Sequence, residues 1–387
     1  MTPVARCCLL ILLAVLSACG GGSSSSGSSG NSSNTPQSSR SFKMGFTPWV
    51  YEATFTAQDF IYDRIQSDGD IISQHIMDGV PWQEALDGDP YPQHTEDEIS
   101  ARLSHTLPSI PVYLSIDSLN GVRTELVGNW GASGQEARSG AWATLSFDDQ
   151  DVIDAYINFA LDLVDRFEPA YFNYGVEVGG LVEYDLTHGS NRFAAFVVFA
   201  EQVYNAIKAV HPDLEMMVSL SLKTPGNAEM QALQSAFPAL APYVDRVGIS
   251  VYPYAFFNHA DKADPANLPA DWLSQIQAIA PAKPVAITET SWAAEDLVIA
   301  AYSINLGIDA GNQRDYANIL LQASEDLDVA FVIWWAYADY DTLWLSFPPS
   351  AQDIGLIWRD TGLLDENLNE RPALQSWRDW FARSYAP

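Results

Sequence analysis

The sequence is poor in cysteine and in basic side chains. Its three cysteines, Cys7, Cys8 and Cys19, all lie within residues 1–19, so the rest of the chain has no thiol for a disulfide bond or a cysteine-ligated zinc site. Lysine and arginine together number 19 against 49 aspartates and glutamates, which gives a formal net charge of -30. A surface this acidic repels the phosphates of nucleic acid, and we therefore expect no nucleic-acid partner.

Motifs for nucleotide cofactors, metal ions and a serine nucleophile are also missing. The stretch GVEVGGL contains glycines but not the pattern GxGxxG, and GxxxxGK[ST] does not occur. His105, His188 and His259 do not have the spacing of metal ligands, and VGISVYP is not a GxSxG motif. We therefore expect neither a cofactor nor a bound metal.

The N-terminus has the composition of an export signal. Residues 1–19 contain one arginine, then an apolar run too short to span a membrane comfortably, then small residues. The last four, Leu16 to Cys19, resemble the lipobox of bacterial lipoproteins, in which the cysteine carries the lipid. The resemblance implies a chain anchored to the bacterial cell envelope through Cys19. Gly20, which follows it in place of an aspartate, points by the same resemblance to the outer membrane.

The remainder divides into a linker and one domain. Residues 20–41 are rich in glycine and serine, which predicts a flexible tether before a folded domain at 42–387. In that domain short apolar runs alternate with helix-length amphipathic segments, a pattern typical of a parallel sheet with crossover helices. Eight strands without a second core indicate a single (β/α)8 or TIM barrel, of the α/β class. The strands are predicted at 42–46, 70–75, 111–116, 170–176, 215–220, 246–252, 284–289 and 330–335.

Two long helices and one long loop complete the prediction. Apolar residues recur at three- and four-residue spacing in 151–167 and 191–210, with Asp151 and Asn191 at the N-cap positions. The segment 118–148 after the third strand carries several glycines and is predicted to be a loop at the rim of the barrel. Loops on that rim are where functional residues concentrate.

Two glutamates end predicted strands. Glu177 follows the fourth strand in YFNYGVEVGG, and Glu289 follows the seventh in PVAITETSW. The carboxyl ends of barrel strands meet at one rim, so the two side chains should face each other. Retaining glycoside hydrolysis uses such a pair about 5–5.5 Å apart, one carboxyl protonated and one ionised. Their proximity helps, because the charge on one acid raises the pKa of the other.

Tyr252 ends the sixth strand and Trp335 the eighth. Because strand side chains alternate, Trp334 and Trp335 must point to opposite faces, and only one can face the barrel interior. With the two glutamates, this set resembles clan A of the retaining glycoside hydrolases over most of residues 42–387. YGVEVGGL, GISVYPY and VAITETSW locally resemble the endo-β-1,4-galactanases of that clan.

The resemblance implies a role for each member of the set. Glu177 is implied to be the general acid/base and Glu289 the nucleophile. Tyr252 is implied to donate a hydrogen bond to the nucleophile. Trp335 is implied to form the floor under the cleaved sugar, and this tryptophan is often followed by a non-prolyl cis peptide.

One position departs from the clan pattern. Members of the clan usually have an asparagine just before the acid/base, and this sequence has Val176, which cannot hydrogen-bond a sugar hydroxyl. Asn173 or another strand end would have to supply that contact. Further candidate substrate-binding residues near strand ends are Trp49, His75, Asp117 and Trp292.

The sequence thus predicts a cell-surface glycosidase that cuts inside a polysaccharide, as a monomer and without a cofactor. The resemblance favours β-1,4-galactan, with β-glucan as the competing substrate. Val176 keeps a second hypothesis open, a non-catalytic glycan-binding lipoprotein on the same barrel. A third hypothesis is an enzyme for peptidoglycan or for an exopolysaccharide of the cell itself.

Overall fold

Eight parallel strands form the centre of the protein. The structure is a computed structural model that describes residues 39–387. The strands are β1 (Lys43–Phe46), β2 (Ile71–Ile76), β3 (Val112–Ile116), β4 (Tyr171–Gly175), β5 (Glu215–Ser221), β6 (Arg246–Val251), β7 (Val285–Thr290) and β8 (Phe331–Trp334). Each strand pairs with its neighbours in sequence, and β1 pairs with β8, which closes the barrel. The predicted (β/α)8 barrel is confirmed.

The N-terminal predictions fall outside this description. The signal peptide at 1–19, the lipid-bearing Cys19 and nearly all of the linker at 20–41 lie before the described residues. They stay predictions, as do the domain boundaries based on them.

Helices cover the outside of the barrel. They are α1 (Phe55–Asp68), α2 (Trp82–Asp87), α3 (Gln93–His105), α4 (Gln150–Phe167), α5 (Gly179–His188), α6 (Arg192–Val210), α7 (Ala228–Ala236), α8 (Pro253–Phe256), α9 (Ile276–Ile279), α10 (Ala310–Asp326), α11 (Asp341–Trp344), α12 (Pro349–Arg359) and α13 (Pro372–Phe381). Two short hairpins pair Asn129–Gly131 with Gly134–Glu136 and Leu297–Ile299 with Ile304–Leu306; single 3₁₀ turns lie at Gly140–Thr144, Phe237–Ala239, Ala241–Tyr243, Pro265–Asn267 and Ala300–Tyr302.

The predicted N-caps need correction. The helix α4 begins at Gln150, so Asp149 rather than Asp151 occupies its N-cap position. Asn191 does precede α6, but its side chain makes no capping bond. The carboxylate of Asp185 accepts the first N–H groups of that helix instead, from Arg192 and Phe193, at 2.9 Å each. A side chain from the preceding helix thus performs the capping that the local sequence assigned to Asn191.

The barrel interior changes character along its axis. The interior positions at the amino ends of the strands are apolar and pack into one buried cluster: Ile71, Tyr113, Met217, Ala286, Phe331 and Ile333. Toward the carboxyl ends the interior positions are small and polar: Ser73, Ser115, Ser219, Ser250 and Thr288. With His75, Val176 and Glu289 these residues line a cavity of about 10 Å³. A cavity of this size holds about one water molecule. The barrel is therefore plugged by hydrocarbon at one end and lined by hydroxyl groups at the other.

The larger apolar core lies between the barrel and its helices. The helix α6 shows how it is built, because it is long and apolar enough, by length and composition alone, to cross a membrane. Its buried residues Phe193, Phe196, Phe199 and Val203 instead pack in this core. One apolar face of α6 is thus buried against the barrel, while Val198 and Val210 on the same helix stay exposed.

Candidate active site

Glu289 lies at an irregularity in β7. Ile249 pairs with Ile287, but the next residue of β6, Ser250, pairs with Glu289, so Thr288 is an extra residue on β7. Such a bulge re-aims the side chains beside it. As a result Thr288 and Glu289 both line the interior cavity, although they are consecutive.

Tyr252 holds the Glu289 carboxylate. It follows β6 directly, its ring is buried, and its hydroxyl donates a hydrogen bond to Oε1 of Glu289. Burial, and then the charge of Glu289, raise the pKa of Tyr252 well above its ordinary value. The phenol therefore stays a hydrogen-bond donor at any working pH.

Glu177 sits in an unusual backbone conformation just past β4. Its φ is 55°, in the left-handed region that side chains other than glycine adopt rarely and at some cost in energy. Its N–H donates to Oγ of Ser219 at 2.9 Å, and the hydroxyl of Ser250 donates to its Oε1 at 2.7 Å. Ser250 is also the ladder partner of Glu289. Ser250 is thus next to both acids: its hydroxyl bonds Glu177, and its backbone pairs with that of Glu289.

Arg123, which the sequence did not single out, completes the site. Its Nε donates to Oε2 of Glu177 at 3.0 Å, and its Nη1 donates to Oδ2 of Asp117 at 2.7 Å. The other oxygen of Asp117 lies 2.8 Å from Nε2 of His75. A continuous chain of polar contacts therefore runs from His75 on β2 to Glu177 just past β4, through the loop after β3.

The electrostatics of the two glutamates differ. Burial, and then the negative charge of Glu177, raise the pKa of Glu289 to about 7, although Tyr252 acts in the opposite direction. Burial would also raise the pKa of Asp117, but Arg123 and His75 reverse this and lower it. Glu177 accepts two hydrogen bonds, one of them from a guanidinium. In the free protein Glu289 therefore holds a proton in much of the population up to about neutral pH.

The structure brings the predicted aromatic floor to the same rim. Trp334 is buried in the helix layer and donates to the carbonyl of Thr361, while Trp335 points the other way and is 7% exposed. The Trp335–Ala336 peptide is cis, as the resemblance implied. The half-buried Trp49 lies beside Trp335, with 4.8 Å between ring centroids. Within residues 39–387 neither indole N–H has a hydrogen-bond partner.

Three of the predicted substrate ligands, Asn173, Trp292 and Asp117, are engaged in contacts within the protein. Asn173 is fully buried one layer down the barrel, where it donates to the Tyr113 hydroxyl at 2.8 Å and accepts from the N–H of Gly175 at 3.0 Å. Trp292 is also fully buried and packs outside the barrel against Tyr316, with 4.7 Å between centroids. Asp117 uses both carboxylate oxygens, as described above. His75 lines the cavity near Glu289 but is only 6% exposed.

Asn173 therefore does not replace the asparagine that the clan has at position 176. Val176 itself lines the interior cavity and is 4% exposed. The apolar side chain of Val176 cannot make the hydrogen bond that the clan's asparagine makes to the sugar.

Among residues 39–387, two groups of carboxylates have the spacing of metal ligands. They are Glu295 with Asp339 and Glu366, and Asp339 with Asp341 and Asp360. Arginines already form ion pairs with members of both groups. Arg371 lies 2.6 Å from Glu295 and 2.7 Å from Asp339, and Arg359 lies 2.7 Å from Asp360. We therefore assign no metal to them.

Comparisons with known proteins find likeness in structure alone. No family model and no curated protein sequence matches the chain. Among solved structures, the exo-β-1,4-mannosidase Op5Man5 from Opitutaceae bacterium strain TAV5 is similar at a TM-score of 0.59 and 13% identity, over 89% of this chain and 59% of that one. The GH53 catalytic domain of Ignisphaera aggregans gives 0.50 and 15%, over 84% and 88%.

A third similar structure is β-glucuronidase 2 of Bacteroides uniformis, covalently bound to a cyclophellitol aziridine, at a TM-score of 0.52 and 11% identity. The match covers 87% of this chain and 34% of that one. The chain thus spans less than two thirds of the length of the mannosidase and of the glucuronidase. At these identities the likeness establishes the fold alone, a TIM barrel that several glycosidases share.

Proposed function

We propose that this protein is a retaining glycoside hydrolase with Glu289 as nucleophile and Glu177 as acid/base. The observation that carries the proposal is the arrangement at the rim. Two glutamates from β4 and β7 are linked through Ser250, and each has its own hydrogen-bond donors. The fold shared with several glycosidases supports it.

The reaction proceeds in two displacements. A carboxylate oxygen of Glu289 forms a bond to the anomeric carbon while the bond from that carbon to the leaving oxygen breaks. Glu177 gives its proton to the leaving oxygen. Water then attacks the same carbon, Glu177 takes a proton from the water, and Glu289 is released.

A proton must therefore move before the first displacement. Glu289 holds a proton in the free protein up to about pH 7, whereas the reaction needs Glu289 ionised and a proton on Glu177. Positive charge develops at the anomeric carbon during bond breaking, directly beside Glu289. That charge favours the ionised form of Glu289 in the transition state and leaves the proton to Glu177. Arg123 opposes the transfer in the free state and must loosen its contact with Glu177 when substrate binds.

The finer proposals rest on the sequence. The galactanase-like motifs support an internal cut in β-1,4-galactan, with β-glucan as the alternative substrate. The lipobox-like segment supports a lipid anchor on Cys19, and Gly20 after it supports the outer membrane. The protein is further proposed to be a monomer.

The test is a panel of polysaccharides incubated with the purified protein, read out as new reducing ends and product sizes. We expect cleavage that disappears in Glu289→Ala. A 2-fluoro glycoside of the cleaved sugar should then label Glu289, as shown by peptide mass spectrometry. Label on Glu177 would reverse the two roles, and label on any other acid would contradict the proposal.

A second candidate function is glycan binding without turnover. Val176 and the ion pair of Glu177 with Arg123 favour it, since both depart from what the acid/base role requires. Tight binding of a polysaccharide without new reducing ends would establish this candidate. Activity confined to the cell's own wall or matrix glycan would instead support the third hypothesis.

A further inference from the structure

The ion pair between Arg123 and Glu177 opposes the role proposed for Glu177. A general acid must carry a proton, whereas a guanidinium 3.0 Å away favours the ionised carboxylate. Asp117 contacts the same guanidinium at 2.7 Å, and its lowered pKa keeps this buried carboxyl ionised. Of the two carboxylates on Arg123, only Glu177 therefore has to leave it before the reaction can start.

One edge of the Arg123 guanidinium is only half used. The Nε–H and one Nη2–H of an arginine are parallel and together bind two oxygens of a carboxylate or of a tetrahedral oxyanion. Here Nε donates to Oε2 of Glu177, while Nη2 has no hydrogen-bond partner among residues 39–387. The side chain is 16% exposed, and Nη2 is not enclosed by the protein. An anion from solution can therefore reach this edge and accept two hydrogen bonds where Glu177 accepts one.

The backbone at Arg123 is fixed, so that an exchange of partners needs only its side chain to move. The N–H of Arg123 donates to the carbonyl of Asn120 at 2.8 Å, and Oδ1 of Asn120 accepts from the N–H of Thr124 at 3.0 Å. Arg192 donates to the carbonyl of Thr124 and holds the loop from the start of α6. Arg123 has a φ of 57° and Glu177 one of 55°, so both partners of the ion pair have a costly backbone conformation of the kind that clusters at functional sites.

We propose that the substrate is an acidic glycan and that Arg123 binds its anionic group in exchange for Glu177. The group is a carboxylate or a sulfate ester on one of the two sugars joined by the bond that is cleaved. The inference rests on the proposed function and adds the charge of the substrate to it. Such a glycan is a galactan or glucan that also contains uronate or sulfate groups. A neutral glycan leaves the ion pair intact, and Arg123 is thus the residue that determines specificity.

The exchange also accounts for the proton that Glu177 needs. Once Arg123 has turned to the substrate, Glu177 has lost the counter-ion that favours its ionised form. The proton that Glu289 holds in the free protein then passes to Glu177, which leaves Glu289 ionised for attack on the anomeric carbon. No further proton donor is consumed, and Arg123 still contacts two anions, Asp117 and the substrate.

The net charge of the chain acts against this substrate at long range. At -30 the protein repels a polyanion, so the attraction has to be local. At roughly 0.15 M ionic strength, exposed charges more than about 8 Å apart are largely screened from each other, whereas direct contact with Arg123 is not. The assays are therefore made at that ionic strength.

The experiment uses pairs of polysaccharides that differ only in charge. β-Linked glycans with uronate groups are compared with their carboxyl-reduced forms, and β-linked sulfated glycans with their desulfated forms. At about pH 5.5, below the pKa of Glu289, we expect kcat/KM of the wild type to be at least about tenfold higher for the charged member of one pair. The pair that shows the difference identifies the anion as carboxylate or sulfate. Equal or faster cleavage of every neutral member would overturn the proposal.

Arg123→Gln removes both the charge and the fork of donors. On the charged glycan we expect kcat/KM to fall by about 10- to 100-fold. On its neutral form kcat/KM should not fall, because the ion pair that keeps Glu177 ionised is lost as well. Arg123→Lys keeps the charge without the fork and should retain part of the preference. A full preference for the charged glycan in Arg123→Gln would contradict the assignment.

The matched control is Arg138→Gln. Arg138 lies on the same loop after β3, and its Nη1 donates to the backbone carbonyls of Trp142 and Leu145 at 2.7 Å and 2.9 Å. The variant loses the same charge from the same loop and should keep the whole preference for the charged glycan. Loss of the preference in both variants would trace it to the charge of the loop and overturn the role of Arg123.

A wild-type protein that cleaves no member of any pair would disprove the proposed hydrolysis and not, by itself, the anion site. The site is then judged by affinity for the same pairs, measured by calorimetry on the full chain. Tighter binding of a charged glycan that is lost in Arg123→Gln and kept in Arg138→Gln would support it. Equal binding of both members of every pair would overturn it.

Discussion

Arg123 donates from Nε to the Glu177 carboxylate across 3.0 Å while its Nη1 contacts Asp117 at 2.7 Å. The guanidinium thus joins a structural acid to the proposed catalytic acid. Arg123 lies outside the reacting atoms, so we regard it as a positioning residue whose effect should appear in the pH dependence of the reaction. The other titratable groups that face Glu177 are Glu289, Tyr252 and Glu183.

The first prediction concerns Arg123→Gln. Without the guanidinium the two glutamates lose a positive charge that lowers the pKa of Glu289, so the proton is kept to a higher pH. We expect the alkaline limb of the kcat/KM profile to move up by about one pH unit, and Arg123→Lys to restore part of the difference. If kcat/KM instead falls by the same factor at every pH and the limbs of the profile do not move, the role of Arg123 is purely structural.

The wild-type pH profile gives the second prediction. The pKa of Glu289 is raised to about 7, so above that pH Glu289 has lost the proton that the two glutamates share in the reaction and that the leaving group needs. Activity should therefore be highest in acidic to neutral solution and should fall about tenfold for each pH unit well above 7. Rates measured between pH 4 and pH 9 on a soluble substrate check this. A plateau that extends past pH 8 would be incompatible with the shared proton.

Glu289 should also affect stability. Its pKa in the folded protein is raised above the ordinary value, so its contribution to stability is largest at low pH and is lost as the pH rises toward about 7. Glu289→Gln removes that ionisation. We expect the variant to be more stable than the wild type at pH 8, by on the order of 1–3 kcal/mol, and not at pH 4. Urea unfolding at both pH values measures the difference, and equal free energies of unfolding at pH 8 would count against the raised pKa.

Tyr252→Phe removes the hydrogen bond to the nucleophile. The change should lower kcat by roughly 10- to 100-fold with little change in KM, because the lost contact supports the reacting group rather than substrate binding. Tyr254→Phe is the matched control, since the Tyr254 hydroxyl bonds a backbone carbonyl and not an acid. The control should lower the melting temperature and leave kcat within about threefold. Similar kcat values for both variants would exclude the assigned role of Tyr252.

The two glycines after Glu177 give the fifth prediction. A Cβ on Gly180 would lie 2.5 Å from Cβ of Arg123 and 2.7 Å from its carbonyl oxygen, whereas on Gly179 the nearest atom would be 3.5 Å away, on Leu233. Gly180→Ala should therefore displace Arg123 and reproduce the altered pH profile of Arg123→Gln. Gly179→Ala should behave as the wild type. A larger effect of Gly179→Ala than of Gly180→Ala would show that the position of Arg123 does not depend on its close contact with Gly180.

Most of the fold could be predicted because it follows from local patterns. Each barrel strand is a short apolar run, and all eight predicted ranges overlap the observed strands. Glu177 and Glu289 stood out for the same reason, since a lone acid at the end of such a run has few structural roles.

The errors have physical causes in strand geometry. Side chains alternate along a strand, so Trp292, three positions after Glu289, points into the helix layer. Asn173 faces the interior but lies four positions before Glu177, which places it a full layer below the rim. Arg123 had no sequence signal at all. It lies on the loop after β3, and only the packing of that loop on the rim brings it beside Glu177.

The apolar plug at the amino ends of the strands, built from residues such as Tyr113, Met217 and Phe331, has a consequence for how a polymer could be handled. A long sugar chain has no exit through the bottom of the cylinder, so threading is ruled out. It must lie across the open carboxyl-end rim, so substrate and product use the same opening. Product release then competes with binding of the next segment. Substitutions in the loops around that opening should therefore alter turnover without changing the reacting residues.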